Sequence, residues 1–497
     1  MREDWEEILY KDAVYKISTT KQKLKQKEYS QFGQFPIVDQ GQDKIGGYSD
    51  DKDRILDCKL PVVVFGDHTK CVKLINFKFI PGADGTKVLE PKQGIEPKYI
   101  STLTHVLVHK IKDNGYARHY QHIEKENLPI ASLPEQRAIV AKIEELFSDL
   151  DTGIADLKKA QDQLIVYRQA VLKKAFEGEL TKEWREQQTD LPTVDALLEQ
   201  IKIGRKEFFD KQIEEWEFEL KKWKEEGEIG KKPKKPRPLT IPDAPNAGHD
   251  ERKWNIPENW IWTQIGDLCF VTKLAGFEYT DYVNYVEDGD LPVLKAENAG
   301  PNGFKKTYYS KVKSATVQML TRSQIFGGEL LVVFVGAGTG NVAMVPLNQR
   351  YFLGPNIGMA RPYFKLDSKF MEMFLQSAFG KNLMMSAVKA VAQPSLSMGT
   401  IRQAPIAFPS LEEQHQIVQE IESRLSVCDK VEESIAESLE KAKALRQSIL
   451  KKGFEGTLLS EEEIATCKAA PDYEPASVLL ARIERSRKEK IKAEKKK

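Results

Sequence analysis

Two stretches of the chain repeat apolar residues at helical spacing over about thirty positions. The first runs through Ile139, Ile143, Leu146, Leu150, Ile154, Leu157, Leu164, Tyr167 and Val171, the second through Ile421, Leu425, Val431, Ile435, Leu439, Leu445 and Ile449. Steps of three and four place one face of a helix against a partner, so each stretch predicts a coiled-coil helix. About 43 residues at 1.5 Å each make a rod of roughly 65 Å. Both open on a capping-box pattern, Ser132-Leu-Pro-Glu135 and Ser410-Leu-Glu-Glu413, in which serine takes an orphan amide and glutamate reaches back. Both close on Phe-Glu-Gly, with Gly178 and Gly456 suited to a C-terminal stop.

These stretches are one segment written twice. Residues 133–180 and 411–458 align without a gap at an offset of 278, and 18 of the 48 positions are identical, which marks a tandem duplication. A helix with one apolar stripe cannot bury it alone, and two in one chain can. Antiparallel pairing is expected, with a globule at each end of a shared rod; the alternative is that each helix packs on its own globule. Val140 with Val418, and Phe176 with Phe454, are expected to be packing positions.

Upstream of each rod the pattern changes to apolar runs of four to six residues broken by Gly-Gly, Pro-Gly and Asn-Gly, which predicts short strands in a mixed α/β globule. Residues 254–408 can be threaded on residues 4–131. Trp5 falls on Trp260, Asp12 on Asp267, Gly33, Pro36 and Gly47 on Gly289, Pro292 and Gly303, Gly66 and Thr69 on Gly336 and Thr339, and His119 on Ser395. After each rod comes a further apolar patch, VDALLEQIKIGRKE from Val194 and SVLLARIERSRKEK from Ser477, expected to face a partner helix or a neighbouring subunit. Phe208 to Gly227 reads as a charged helix with Trp216 and Trp223, and Lys231 to Asn246 as a Pro- and Lys-rich tether.

Composition narrows the picture. With 497 residues the chain exceeds one core, and its 30% charged residues with no long apolar run or leader pattern predict a cytoplasmic protein. Cys58, Cys71, Cys269, Cys428 and Cys467 lack the spacing of a disulfide framework or zinc site. A net charge of +1 gives no support by itself to a nucleic-acid partner. Lys21, Lys23, Lys25 and Lys27 would share one face of a strand, most simply as a solvated edge.

Catalytic signals are weak. LLVVFVGAGTGN, Leu330 to Asn341, runs an apolar strand into three glycines, as nucleotide and S-adenosylmethionine sites begin. The following VAMVPLNQ is strand-like and holds a proline, where a ligand site needs a helix N-terminus. This segment and VVVFGDHTK, from Val62, therefore predict strand-turn-strand hairpins. No Asn-Pro-Pro-Tyr signature, phosphate loop or nucleophile elbow is present, and His68, His105, His109, His119 and His122 lack metal spacing. Neither cofactor nor metal is expected in this chain.

The order of LPEQRAIVAKIEELF, LKKAFEGEL, PIVDQGQDKIGGY and VVVFGDHTK, then PENWIWTQIGDL, AQPSLSMGTI, LEEQHQIVQEIESRL and LKKGFEGTL, resembles the specificity subunit of type I restriction-modification enzymes. The resemblance implies an α+β fold: two mixed α/β target-recognition domains separated by two long antiparallel coiled-coil helices, a pseudo-twofold tandem repeat. The expected boundaries are 1–131 and 254–409 for the recognition domains, 132–207 and 410–497 for the helical repeats with a basic tail, and 208–253 for the charged helix and linker. It implies a non-catalytic protein that reads a split DNA site. Its partners would be double-stranded DNA, two adenine methyltransferase subunits and motor-nuclease subunits, which would hold S-adenosylmethionine, ATP and Mg. Equivalent turns are the expected readers: Gly66, Asp67, His68, Thr69, Lys70, Arg118, His119 and Tyr120 in the first globule, and Gly338, Thr339, Asn341, Gln393, Ser395 and Ser397 in the second. The other readings are a stand-alone methyltransferase using Gly336 to Gly340, and a coiled-coil scaffold carrying two domains that bind no DNA.

Overall fold

A computed structural model describes residues 2–82, 85–111, 118–230, 232–236, 256–385 and 395–494, the last eight by backbone alone. The chain forms two compact units. Residues 1–159 with 435–497 make the first and residues 160–434 the second, so each unit holds one globule and a length of both rod helices.

In the first unit a four-stranded antiparallel sheet runs in the order Val14–Ile17, Thr86–Pro91, Val62–Gly66, Val72–Ile75. Its central strand, Val62-Val-Val-Phe65, is apolar throughout because the sheet is covered on both faces. Val63 and Phe65 join the core formed with the helices, and Val62 and Val64 join a second core with Val38 and Phe79. A three-stranded sheet of Gly47–Ser49, Phe35–Val38 and Ile80–Pro81 flanks it, and strand Glu6–Leu9 pairs with Asn127–Ile130. The second unit repeats this plan. Its main sheet runs Cys269–Lys273, Ile357–Pro362, Leu330–Val333, Val342–Met344, and Ile261–Gln264 pairs with Pro405–Phe408. The same alternation recurs, with Leu330 and Val332 towards one core and Leu331 and Val333 towards the other. Each fully buried Val or Leu contributes about 1.5–3 kcal/mol. By contrast, Lys21 to Lys27 form no strand: the chain turns at Thr19 and enters a 3-10 turn at Gln26–Glu28, which removes the common face.

The rod helices span Leu133–Phe176 and Leu411–Glu455. In the first unit Ile139, Val140 and Ile143 meet Ile449 in the core, and Phe454 packs edge-on against Tyr99 at 5.5 Å. In the second, Val171, Ala175 and Phe176 meet Ile417, Val418 and Ile421, with Phe176 edge-on to Phe370 and Phe374 at 5.8 and 5.2 Å. Early residues of one helix thus face late residues of the other in each unit, the antiparallel sense. The seam of the second helix differs from the sequence reading. Val431 and Leu445 are 41% and 50% exposed, while Cys428 is buried and Ala442 half-buried. Heptad phase from Ile421 passes through 425, 428, 432, 435, 439, 442, 446 and 449, so Glu432 and Arg446 hold the phase and Val431 and Leu445 lie one step off it. Across the seam Asp429 meets Arg168 at 2.6 Å in the second unit, and Asp151 meets Arg446 at 3.2 Å in the first. With the 278 offset these are one ion pair with its partners exchanged.

Each rod is joined to its globule by a Glu-Gln doublet. The capping box at Ser132 forms as expected: the Glu135 amide donates to Ser132 Oγ at 3.4 Å, and Glu135 Oε2 accepts from the Ser132 amide at 3.3 Å. The second forms by half. Ser410 Oγ accepts from the Glu413 amide, but the Glu413 carboxylate, fully buried, is drawn away by Thr181, Arg185 and Asn259. Gln136 accepts from the Glu96 amide at 2.8 Å and donates to the Gly94 and Ala131 carbonyls; Gln414 accepts from the Asp367 amide at 3.0 Å and donates to the Pro409 carbonyl. Both rods stop at glycines of positive φ, Gly178 at 75° and Gly456 at 80°. A side chain there would meet Pro257 at 2.3 Å or Arg2 at 2.9 Å.

The apolar patches after the rods are covered in part by this chain itself, contrary to the expectation of a partner surface, with Ile203 and Val478 left 45% and 51% exposed. Val194 and Ile201 of helix Val194–Glu225 are buried in the second unit's core, and Leu479 and Ile483 of helix Ala476–Glu494 in the first unit's. The globule offers an apolar surface that the stripe reading of the helix alone did not count.

Candidate nucleic-acid interface

Each globule brings a hairpin turn and a distant loop together at one tip. In the first unit strands Val62–Gly66 and Val72–Ile75 form the hairpin. Gly66 has no room for a side chain, since a Cβ would lie 2.2 Å from Thr69 Oγ1. Asp67 is 3% exposed; its carboxylate accepts from the Tyr120 amide at 2.9 Å and pairs with Lys87 at 3.2 Å, while its carbonyl accepts from the His119 amide at 2.9 Å. Asp67, His119 and Tyr120 are therefore buried framework. His68, Thr69, Lys70 and Arg118 retain exposure. Thr69 donates to the Gln40 carbonyl, and the His68 amide to Gln40 Oε1 at 3.3 Å. The loop after strand Phe35–Val38 therefore belongs to the tip.

In the second unit the glycine-rich segment is the turn between antiparallel strands Leu330–Val333 and Val342–Met344, as its sequence predicted. Thr339 is buried and donates to the Gly336 carbonyl at 2.6 Å. Asn341 donates to the Ala299 carbonyl at 3.3 Å and accepts from Lys381 Nζ at 3.0 Å. Ser395 bridges to Val335, and Ser397 caps helix Met398–Gln403 by accepting from the Thr400 amide at 2.9 Å. Gly338 is half-buried at the turn. Gln393 lies outside the described residues.

Sheet register corrects the threading. Val14 opposes Pro91 as Cys269 opposes Pro362, and Gly66 opposes Thr86 as Val333 opposes Ile357. Gly66 is thus equivalent to Val333 rather than Gly336. The turn closes alike in both units: the Gly66 amide donates to Cys71 and the Lys70 amide to Gly66, as Val333 does to Asn341 and Gly340 to Val333. Lys70 at φ 59° and Gly340 at φ 86° share the left-handed position. Between these anchors lie residues 67–70 in one turn and 334–340 in the other, three more. The Phe334 carbonyl accepts from the Leu396 amide at 2.8 Å, just as Asp67 accepts from His119, so His119 corresponds to Leu396 rather than Ser395. Threading slipped because glycines were matched across a turn of unequal length.

Sequence reasoning missed Gln40, Lys87 and Lys381. Gln40 lies in the PIVDQGQDKIGGY run that carries the resemblance, and that was its signal. The two lysines had none, because each joins the tip only through tertiary pairing. Among the described residues no group of three or more His, Cys, Asp or Glu is placed to hold a metal ion, and no helix is long and apolar enough to cross a membrane.

Known proteins place this arrangement. The family description "Type I restriction modification DNA specificity domain" matches residues 257–441. Those residues are similar to a type I specificity domain. Beyond that domain, the chain is similar to the EcoBI specificity subunit of Escherichia coli, 23% identical over 72% of this chain and 64% of that one. It is also similar to the EcoDI subunit, 25% identical over 86% of this chain and 84% of that one. It thus spans just under two thirds of the length of the EcoBI relative. A solved chain from a type I R-M system matches with a TM-score of 0.59 at 16% identity, over 92% of this chain and 99% of its own. The HsdS subunit from Thermoanaerobacter tengcongensis matches with 0.53 at 16% identity, over 92% and 98%. The fold is that of the specificity subunits, two sheet-bearing globules and two long helices.

Proposed function

We propose that this chain is the DNA-reading subunit of a type I restriction-modification complex, with each globule reading one half of a bipartite, asymmetric site. One observation carries the proposal: the two tips share a hydrogen-bonded frame yet differ in turn length and in every exposed side chain. His68, Thr69, Lys70 and Arg118 stand at one, and a longer glycine-rich turn with Ser395 at the other. A shared frame with different polar tips suits two different words. Phosphate contacts supply sequence-independent affinity, and side chains at base edges supply about 1–3 kcal/mol of discrimination each. Two half-sites in one chain act as linked binding events.

In this reading the paired rods set the unread gap and dock two adenine methyltransferase subunits. Methyl transfer and cleavage, with S-adenosylmethionine, ATP and Mg, belong to those subunits and to motor-nuclease subunits. The hairpin at Leu331 to Asn341 disfavours a stand-alone methyltransferase, since no helix N-terminus follows the glycines.

Mapping methylated adenines in cells carrying this chain tests the proposal. Exchange of residues 1–131 for another such domain should alter one half of the methylated motif and leave the other half. A motif that changes throughout, or methylation without a bipartite motif, would refute it.

A further inference from the structure

The second unit contains a basic cleft that none of the reading-tip residues line. Helix Val194–Glu225 lies across the globule, with Gly204 close against the Tyr363 carbonyl and the Phe208 ring tilted at 45° to Phe270, 4.7 Å away. Beside this contact a cavity of about 530 Å³ is lined from the helix by Arg205 and Lys206 and from the globule by Arg322 and Arg402. Aromatic walls, Phe208 and Tyr363, complete it. Asp267 neutralises Arg205 at 3.4 Å and Glu278 holds Arg322 at 2.6 Å. Arg402 donates one bond, to the Val271 carbonyl at 2.9 Å, and its buried Nε has no hydrogen-bond partner among the described residues. Burial pushes its pKa down, the mark of a cation short of countercharge.

The position of Arg402 suggests what supplies that charge. It sits on helix Met398–Gln403, the helix that Ser397 of the reading tip caps. Five residues at 1.5 Å carry the path from tip to cleft about 8 Å, roughly two phosphate steps along one DNA strand. Lys273, at the end of the strand that lines the cleft, lies over Phe334 of the reading turn at 4.9 Å. Two elements, strand Cys269–Lys273 and helix Met398–Gln403, thus link the cleft to the tip.

We infer that this cleft grips the phosphate backbone of the DNA strand flanking the second half-site, through Lys206 and Arg402. The inference rests on the DNA-reading proposal and deepens it by naming a sequence-independent contact. It also revises the sequence reading of IKIGRKE: Ile201 and Gly204 of that segment seat the helix, and its basic residues face a ligand.

The test is equilibrium binding of the full chain to fluorescent 30-bp duplexes of several unrelated sequences across a salt series. Lys206→Gln/Arg402→Gln should weaken binding about ten-fold on every duplex and lower the salt slope by one to two, near 0.9 per lost phosphate contact. Lys206→Gln alone, an exposed change, should lower it by about one. Arg402→Lys should restore most of the slope. An unchanged slope in both variants overturns the inference, as does ATP binding that is lost in the double variant while duplex binding is kept, which would assign the cleft to a free nucleotide. Loss confined to one duplex sequence would mean base reading and also overturns it. Failure of the bipartite motif in methylation mapping is a separate result, because the salt slope does not depend on sequence.

Discussion

Replacing Asp67 by alanine should loosen the first reading tip more than any exposed substitution there. Two contacts end on its carboxylate, the Tyr120 amide at 2.9 Å and the Lys87 ammonium at 3.2 Å, at a residue 3% exposed. A hydrogen bond to a charged group contributes about 1.5–3 kcal/mol, a range that already contains the cost of stranding the buried amide. Lys87 is partly solvated and regains water, so its pair adds about 1 kcal/mol or less. The expected loss is about 2–4 kcal/mol, with Asp67→Asn near 1 because the amide oxygen still accepts from Tyr120. Urea unfolding of the full chain, followed by a probe in the first unit such as hydrogen exchange at Val63 to Phe65, reads the difference. The functional readout is methylation mapping, where discrimination should relax in one half of the motif only. A stability change under about 0.5 kcal/mol, or equal relaxation in both halves, would refute the idea that Asp67 staples the loop to the turn.

Other expectations follow from the joints. Gln136→Ala strips three buried hydrogen bonds and Gln414→Ala two, so at 0.5–1.5 kcal/mol each the first should cost about 2–4 and the second about 1–3 by denaturant titration. Gly456→Ala forces a left-handed residue against Arg2 and should cost about 1–2 kcal/mol, whereas Gly153→Ala, with open space around it, should stabilise slightly. Exchanging Arg168 and Asp429 should retain their pair and cost less than neutralising either alone, as a double-mutant cycle would show. The Ser460 amide holds the Glu463 carboxyl below its ordinary 4.5; the cap of helix Glu461–Lys468 is then present above that pH and lost as pH falls through the lowered value, visible as smaller amide protection factors in that helix once the intrinsic exchange rate at each pH is divided out.

How much of this was legible beforehand depended on whether the signal was local. Rod helices, their glycine stops and the serine caps are written in spacings of three, four and seven, and appear where those spacings put them. The hairpin reading of Leu331 to Asn341 rested on Pro346, two residues past strand Val342–Met344, also a local sign. Tertiary pairing was invisible. Asp67 looks like a free tip residue in sequence and is a buried staple, because the loop that buries it arrives from residue 119. Glu413 reads as a capping glutamate and is captured by Thr181 and Arg185, which lie more than two hundred residues away. Val194 and Ile201 looked like an unpartnered stripe, since periodicity reports a face and not what covers it.

The glutamine joints have one further property. Every bond made by Gln136 and Gln414 ends on a main-chain amide or carbonyl: Glu96, Gly94 and Ala131 in one unit, Asp367 and Pro409 in the other. The socket at the head of each rod therefore senses the path of the backbone and is indifferent to the side chains that path carries. A globule can change its exposed residues and still seat, provided it keeps the core side chains that pack on the rod and delivers one amide and one or two carbonyls to the right place. Such a coupling lets the reading surface diverge quickly while the helices beneath it stay under tight constraint.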